Sequence, residues 1–221
     1  RSRGTTRLTS IGTWRSLVAR SVRDAEVVGS NPAVPTIPGR SSRRIRREDL
    51  HVGVMDFLTL QLELAGWVPR EPPPVIDGVE VRSPARSDIP LLGALYFSAY
   101  EPGVAGADVA EATADIEASF DGDYGELWPE ASAVAIRHDQ IVGAVLTVKE
   151  APWDDTPKGP FIIELFVDRE HRRQGIARLL IGRCLDALHR AGAASVGLRV
   201  VSDNEPALRL YRSMGFATWE P

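Results

Sequence analysis

Phe161-Ile162-Ile163-Glu164-Leu165-Phe166-Val167-Asp168-Arg169-Glu170-His171-Arg172-Arg173-Gln174-Gly175-Ile176-Ala177 carries an apolar run through a basic turn into a helix. The run Phe161 to Val167, bounded by Gly159-Pro160 and Asp168, is long enough for a central strand buried on both faces, with Glu164 as its one interruption. After Gly175, Ala177, Leu180, Ile181, Cys184 and Leu188 recur at helical spacing as far as Gly192. The turn between strand and helix is an anion cradle in physical terms. Unpaired N–H groups and the positive end of the helix dipole converge there, and Gly175 and Ala177 admit a phosphate oxygen close to the backbone. Arg172 and Arg173 add charged donors. The spacing is neither that of a Walker loop nor that of a dinucleotide fold. Taken alone, such a turn also reads as a solvated helix entry.

The flanking sequence alternates strands and helices. Downstream, Val196, Leu198 and Val200 mark a strand, Asn204 an N-cap with Pro206 in the first turn, and Ala207, Leu210, Tyr211 and Met214 a helix face stopped at Gly215. Upstream, Ala131–Ile136 and Ile141–Val148 flank a polar Arg137-His138-Asp139-Gln140 turn at hairpin spacing. Ahead of these, Asp108 to Phe120 and a segment capped by Ser87 or Asp88 and ended by Gly103 read as helices, and Val79–Val81 as an extended piece. This order predicts an α/β fold, a mixed sheet with helices on both sides, over residues 79–221. Between Met55 and Gly78, the residues Phe57, Leu58, Leu60, Leu62 and Leu64 are expected to form a short amphipathic helix. A stiff linker around Pro72-Pro73-Pro74 follows, so 55–78 is a helix and linker.

Two segments then point to one family. Arg172-Arg173-Gln174-Gly175-Ile176-Ala177 resembles the Gln/Arg-x-x-Gly-x-Gly/Ala signature of the GNAT superfamily of N-acetyltransferases. Asn204-Glu205-Pro206-Ala207-Leu208-Arg209-Leu210-Tyr211-Arg212-Ser213-Met214-Gly215-Phe216 resembles its Asn, Ala, Leu-Tyr, Gly-Phe block. The resemblance covers about residues 79–216. It implies direct transfer of acetyl from acetyl-CoA to a primary amine through a tetrahedral intermediate. Backbone amides of Arg172, Arg173, Gln174, Gly175, Ile176 and Ala177 would hold the pyrophosphate. The strand edge at Leu165, Phe166 and Val167 would pair with the pantetheine arm, Asn204 would position that arm, and Tyr211 would protonate the departing thiolate. Tyr211 also reads as a packed aromatic. Members of this family usually continue past the Gly-Phe block with two strands, whereas this sequence ends at Trp219-Glu220-Pro221. The alternatives are a sheet with fewer strands, completion by a partner chain, or a truncated reading frame.

The acceptor side needs a base, because an alkylammonium of pKa near 10.4 is only about 0.04% free amine at pH 7. Glu164, a carboxylate in an apolar strand, is the candidate; its other reading is a strand-edge glutamate paired with an arginine. A backbone N–H near Phe166 or Val167 would serve a developing oxyanion. Asp154-Asp155 with Trp153, and Asp121, Asp123, Tyr124, Glu126 and Trp128, would line an acceptor cleft or form a solvated surface. His51, His138, His171 and His189 lack metal-ligand spacing, so no metal is expected. Cys184 falls on an apolar helix face and reads as core. The rival reading from another class is a non-catalytic acyl-CoA-binding sensor or scaffold.

Composition sets the outer limits. The 221 residues carry a net charge of −4, but residues 1–50 hold eleven arginines against four acids, leaving −11 on the rest. An acidic folded part disfavours nucleic acid as a partner and suits an amine substrate or simple solubility. A single cysteine, with no apolar run long enough for a membrane span, points to the cytoplasm, with no membrane partner and with a homodimer allowed. Residues 1–54 are sparse in apolar groups and interrupted by Pro32, Pro35 and Pro38, which predicts a disordered extension. An Arg- and Ser-rich transit peptide, a basic nucleic-acid arm and non-native translation compete there. The last is favoured, because Gly29-Ser30-Asn31-Pro32 resembles a transfer-RNA gene read as protein and the first Met is Met55.

Overall fold

The computed structural model describes residues 57–68 and 74–220, so the expectations for residues 1–54 and for Pro72-Pro73 lie outside the described residues. In chain order the elements are β1 (Phe57–Glu63), β2 (Val79–Arg82), α1 (Ile89–Ala99), α2 (Val109–Asp121), β3 (Ala133–Arg137), β4 (Gln140–Val148), β5 (Phe161–Val167), α3 (Ile176–Arg190), β6 (Ser195–Val201), α4 (Glu205–Met214) and β7 (Ala217–Thr218). The strands form one sheet in the order β2-β3-β4-β5-β6-β1-β7. Only β5 and β6 run parallel. The α/β fold with a mixed sheet flanked by helices is therefore the one expected from the element order.

All seven residues of β5 are buried, as its unbroken apolar run requires of a strand covered on both faces. Leu146 and Ala144 of β4 stand opposite Glu164 and Phe166, and this face meets α1 through Tyr96. The opposite face meets α3, where Ile176 and Leu180 lie close to Gly143 and the Thr147 hydroxyl sits 3.3 Å from the Cys184 sulfur. Burial pushes the Cys184 thiol up to about 12, so this side chain is inert core. On its own side, α1 packs closely on α2 because Gly93 lacks a side chain. A Cβ there would stand 2.2 Å from the Thr113 hydroxyl oxygen.

Residues 57–63 correct the expectation of a short helix. They form a strand paired over its whole length with β6, from Phe57 opposite Val201 to Glu63 opposite Ser195. Leu60, Leu62 and Leu64 are buried while Phe57 and Glu63 face out, which is period-two alternation. Leucine favours helix by local propensity, but seven paired residues beside a buried strand outweigh a few tenths of a kcal/mol per residue. The short β7 then pairs with the far edge of β1, and Trp219 N–H donates to the Thr59 carbonyl at 2.9 Å. The strand beside β6 is thus supplied from ahead of β2 in the chain.

Helix α1 begins after Asp88, as expected, yet that carboxylate is not used as a cap. It accepts from both Arg82 terminal nitrogens at 2.7 and 2.8 Å and from Ala85 N–H at 2.8 Å, and the Arg82 hydrogen bond holds its carboxyl below the usual range. The α2 cap is conventional: the Asp108 side chain accepts from Glu111 N–H.

Leu60 is fully buried between β6 and β7. Leu60→Ala is expected to cost about 2–5 kcal/mol in urea unfolding. A loss below about 1 kcal/mol, normal for a surface position, would contradict the internal placement of β1.

Candidate active site

The turn from β5 to α3 is built to present backbone N–H groups. Asp168 N–H donates back to the Val142 carbonyl at 2.9 Å, and the Asp168 carboxylate meets His171 Nδ1 at 2.6 Å, which fixes the first half of the turn. Arg173 (φ 63°) and Gly175 (φ 86°) are then both left-handed around Gln174. This alternation curls the backbone so that successive amides converge on one side, and it runs directly into the first turn of α3, whose amides have no intrahelical acceptor. The left-handed conformation is natural for Gly175 and costs about 1 kcal/mol at Arg173, a local strain retained at a turn that faces a cleft.

That cleft, of about 330 Å³, is walled by Val167, Arg173, Gly175 and Ala177 on one side and by Pro206 and Leu210 of α4 on the other. Pro74 and Ile76 lie where a side chain at position 175 would reach them, a Cβ there standing 3.6 Å from each. His171, Arg178 and Arg209 complete the rim of the cleft, the two arginines supplying positive charge. Arg178 donates to the Ser213 hydroxyl at 2.8 Å and Arg209 lies 3.7 Å from Glu205, so both are held at the cleft mouth. Donors in this density, at a helix start and with no acid among the described lining residues, fit a phosphate-bearing ligand.

The two strands beside the cleft diverge. Pairing between β5 and β6 is confined to Phe161 opposite Gly197 and Ile162 opposite Leu198. Because Asp168 N–H bonds β4, strand alternation directs the backbone of Phe166 to β4 and that of Leu165 and Val167 to the β6 side. Of the three strand-edge residues expected to meet a pantetheine arm, Leu165 and Val167 thus face the opening and Phe166 does not. Ile163 is the extra residue of a β-bulge against β4, directly before Glu164.

Glu164 lies three residues up β5 from Val167, about 10 Å along the strand. It is 1% exposed and accepts from Tyr96 hydroxyl at 3.3 Å and Tyr100 hydroxyl at 3.5 Å. Two phenols, from α1 and its end, are among its partners, whereas the sequence had suggested an arginine. Tyr211 is equally buried, its ring in edge contact with Phe216. Burial, and then the Glu164 charge, push its phenol well above the ordinary value, so it stays protonated. Among the described residues its hydroxyl has no hydrogen-bond partner.

The remaining candidates divide. Arg172 donates to the Val167 carbonyl at 3.3 Å and to the Ala99 carbonyl, so its guanidinium braces the turn against the C-terminal end of α1. Gln174 accepts from Arg137 at 2.6 Å and donates to the Glu170 carbonyl, so its side chain is engaged within the protein. Asn204, 1% exposed, spends its side-chain oxygen on Ala207 N–H at 3.2 Å as the α4 cap. The two acidic loops come together, since Leu127 bridges Val148 and Lys149 N–H donates to the Glu126 carbonyl. Several of their groups are engaged in pairs: Asp121 with Arg86, Glu126 with Lys149, Asp155 with Arg199 and Trp153 with Phe161. Among the described residues no group of three or more His, Cys, Asp or Glu is placed to hold a metal, and no helix is long and apolar enough to cross a membrane.

Sequence reading missed Tyr96 and Tyr100; their i, i+4 spacing at the end of α1 was the available signal. It also missed Arg169, which donates to the Ser98 carbonyl at 2.9 Å and the Tyr100 carbonyl at 2.7 Å. The rim cations Arg178 and Arg209 had only their position near the starts of α3 and α4 to mark them.

This geometry agrees with the comparisons. The family model of the acetyltransferase (GNAT) family matches residues 99–216, just over half of the chain, and the chain belongs to that family. It is 36% identical over 93 residues to N-alpha-acetyltransferase 30 of Schizosaccharomyces pombe, covering 42% of this chain and 61% of that protein. It is 30% identical over 165 residues to mycothiol acetyltransferase of Brachybacterium faecium, covering 72% and 48%. The chain spans about half to three fifths of the length of these curated relatives. Among solved structures, a GCN5-related N-acetyltransferase from Sphaerobacter thermophilus superposes with a TM-score of 0.57 at 22% identity, over 75% of this chain and 49% of that one. A tandem GNAT protein of the clavulanic acid biosynthesis pathway gives 0.56 at 16%, over 76% and 51%. These two likenesses establish the fold.

Arg172 and Arg173 separate bracing from ligand contact. Arg172→Ala is expected to lower stability by about 1.5 kcal/mol, the low end for hydrogen bonds from a charged group. Arg173→Ala should leave stability unchanged while weakening the binding of a phosphate-bearing ligand. Equal effects of the two on stability, measured by thermal and urea unfolding, would contradict the division.

Proposed function

We propose that this chain is an N-acetyltransferase that moves acetyl from acetyl-CoA to a primary amine by direct attack, without an acetylated enzyme. One observation carries the reading: Tyr211, a fully buried phenol kept protonated and without a hydrogen-bond partner among the described residues, stands near the only carboxylate of β5. An unsatisfied buried hydroxyl costs about 1–3 kcal/mol, and such a group is expected where a ligand supplies the missing acceptor.

The residues divide the work in order along the ligand. Amides of Arg173, Gln174, Gly175, Ile176 and Ala177 bind pyrophosphate oxygens, with Arg173 and the rim cations supplying charge. The side of β5 that turns Leu165 and Val167 towards β6 receives the amide-bearing arm as one more strand-like partner. Asn204 holds the start of α4 and so sets where Tyr211 projects. Acetyl-CoA supplies an activated thioester whose carbonyl an amine attacks to give a tetrahedral intermediate, with a thiolate as leaving group. Tyr211 donates its proton to that sulfur and recovers one from the nitrogen of the tetrahedral intermediate, which loses its second proton as the amide forms.

Glu164 accepts the proton that an ammonium must lose before its lone pair can attack, directly or through water. The approach for the amine is from the end of the sheet where β5 begins, beside the acidic loops around Glu126 and Asp154. That is opposite the pyrophosphate turn, so donor and acceptor enter from different sides. Negative charge there suits a cationic acceptor.

Tyr211→Phe and Glu164→Gln are each expected to lower kcat by about 10²–10⁴-fold with acetyl-CoA affinity unchanged. Turnover measured with a panel of amines, alongside calorimetric binding, checks this. Full kcat in both variants would overturn the assigned roles. Tight acetyl-CoA binding by the unaltered chain, with no turnover on any amine, would favour a non-catalytic acyl-CoA sensor.

A further inference from the structure

Glu164 is the inner end of a chain of polar groups that leads out of the core. The Tyr96 hydroxyl donates to Glu164 Oε1 at 3.3 Å, and the Asp115 carboxylate on α2 is a second hydrogen-bond partner of the same hydroxyl. Asp115 in turn accepts from the Tyr124 hydroxyl at 2.5 Å. Tyr96 is 1% exposed, whereas Asp115 is only half-buried at the surface of α2. The order from inside to outside is therefore Glu164, Tyr96, Asp115, solvent.

Proton counting makes this chain more than packing. A phenol has one proton and cannot donate it to two carboxylates at once. With both carboxylates ionised, the Tyr96 oxygen must face one of them lone pair to lone pair. One further proton, placed on either carboxyl, satisfies both contacts. Burial, then the Glu164 charge, push the Tyr96 phenol well above its ordinary value, so this group relays a proton and does not store its own charge.

We propose that Tyr96 and Asp115 form the proton exit of Glu164, carrying the proton taken from the acceptor ammonium to the surface of α2. The inference rests on Glu164 being the base. In the step, the protonated Glu164 carboxyl gives its proton to the Tyr96 oxygen as the Tyr96 O–H bond breaks and its proton passes to Asp115. Glu164 ends as carboxylate, Tyr96 is unchanged, and Asp115 ends as carboxylic acid, which releases the proton to water. No oxidant or co-reactant is needed. Tyr96 and Asp115 act through Glu164 and are positioning residues for the reaction.

The fold fixes each contact. Gly93, one helical turn before Tyr96, lets α2 approach close enough for Asp115 to reach the phenol. Tyr96 is further held by ring contacts with Phe166 at 5.3 Å and Tyr100 at 5.0 Å. Among the described residues, the titratable groups facing Glu164 include Tyr96 and Tyr100 from the α1 side and Tyr211 from α4; those facing the relay phenol also include Asp115 from α2. Tyr124, after α2, faces Asp115.

The test uses the full chain. Infrared titration of carboxylic-acid carbonyl bands, without acetyl-CoA, is compared in the unaltered protein and in Glu164→Gln, Tyr96→Phe, Asp115→Asn and Tyr124→Phe. Glu164→Gln should remove one band, and Tyr96→Phe and Asp115→Asn should each shift the midpoint of that band. An unshifted midpoint in both variants overturns the shared proton. Kinetically, each relay variant should lose up to about 10²-fold in kcat, the low end for general acid–base catalysis, with KM for both substrates unchanged. The double variant should be no slower than the slower single one. Unchanged kcat in both, or additive losses, overturns the relay. If Tyr96→Phe fails to fold, Asp115→Asn at its half-exposed position decides alone. A shifted midpoint in a protein with no turnover on any amine would retain the shared proton while overturning its role as an exit, along with the acetyltransferase reading.

Discussion

Two arginines of the basic turn hold the C-terminal end of α1, and the rest of the site depends on that contact. Arg169 takes the Ser98 and Tyr100 carbonyls and Arg172 takes the Ala99 carbonyl, so positive charge meets the negative end of a helix dipole at three successive residues. The same Arg172 also braces the Val167 carbonyl. One set of bonds therefore fixes α1 against the exit of β5. Since Tyr96 lies just before this clamp and Tyr100 within it, the position of the phenols over Glu164 and the shape of the phosphate-facing turn are set together.

The second constraint is the cost of polar groups in a buried strand. β5 is covered on both faces, so every polar atom on it needs a partner. Glu164 meets that requirement with phenols, which are large enough to fill apolar space and carry a donor at the tip. On the open side the strand meets it differently: its pairing with β6 stops after Ile162, and the backbone at Leu165 and Val167 borders a widening gap. A sheet that opens at its centre is costly to fold. The arrangement is understandable where another chain of amide groups is to lie in the gap.

The sequence was most legible where one local rule dominated. β5 agrees with its unbroken apolar run and α3 with its 3.6 period, and Gly175 and Gly215 mark helix boundaries because only a left-handed residue serves there. It was misleading at Phe57–Glu63, where leucines favour helix locally and only pairing with β6, more than a hundred residues away, selects a strand. The Glu164 environment was illegible for a related reason. Its partners come from residues 64 and 68 positions earlier, brought together by helix packing that depends on the missing side chain of Gly93. Arg172 was legible as a functional position but not as a brace, since charge alone does not distinguish a ligand contact from a helix cap.

The central claim is that the β5–α3 turn is a pyrophosphate cradle opening onto the Tyr211–Glu164 site. Calorimetric titration of acetyl-CoA into the full chain, with desulfo-CoA and adenosine as comparisons, addresses it most directly. The account predicts micromolar binding of acetyl-CoA and of desulfo-CoA, with adenosine, which lacks the pyrophosphate, binding far more weakly. A folded protein that binds none of the three, or binds adenosine as tightly as acetyl-CoA, would contradict it.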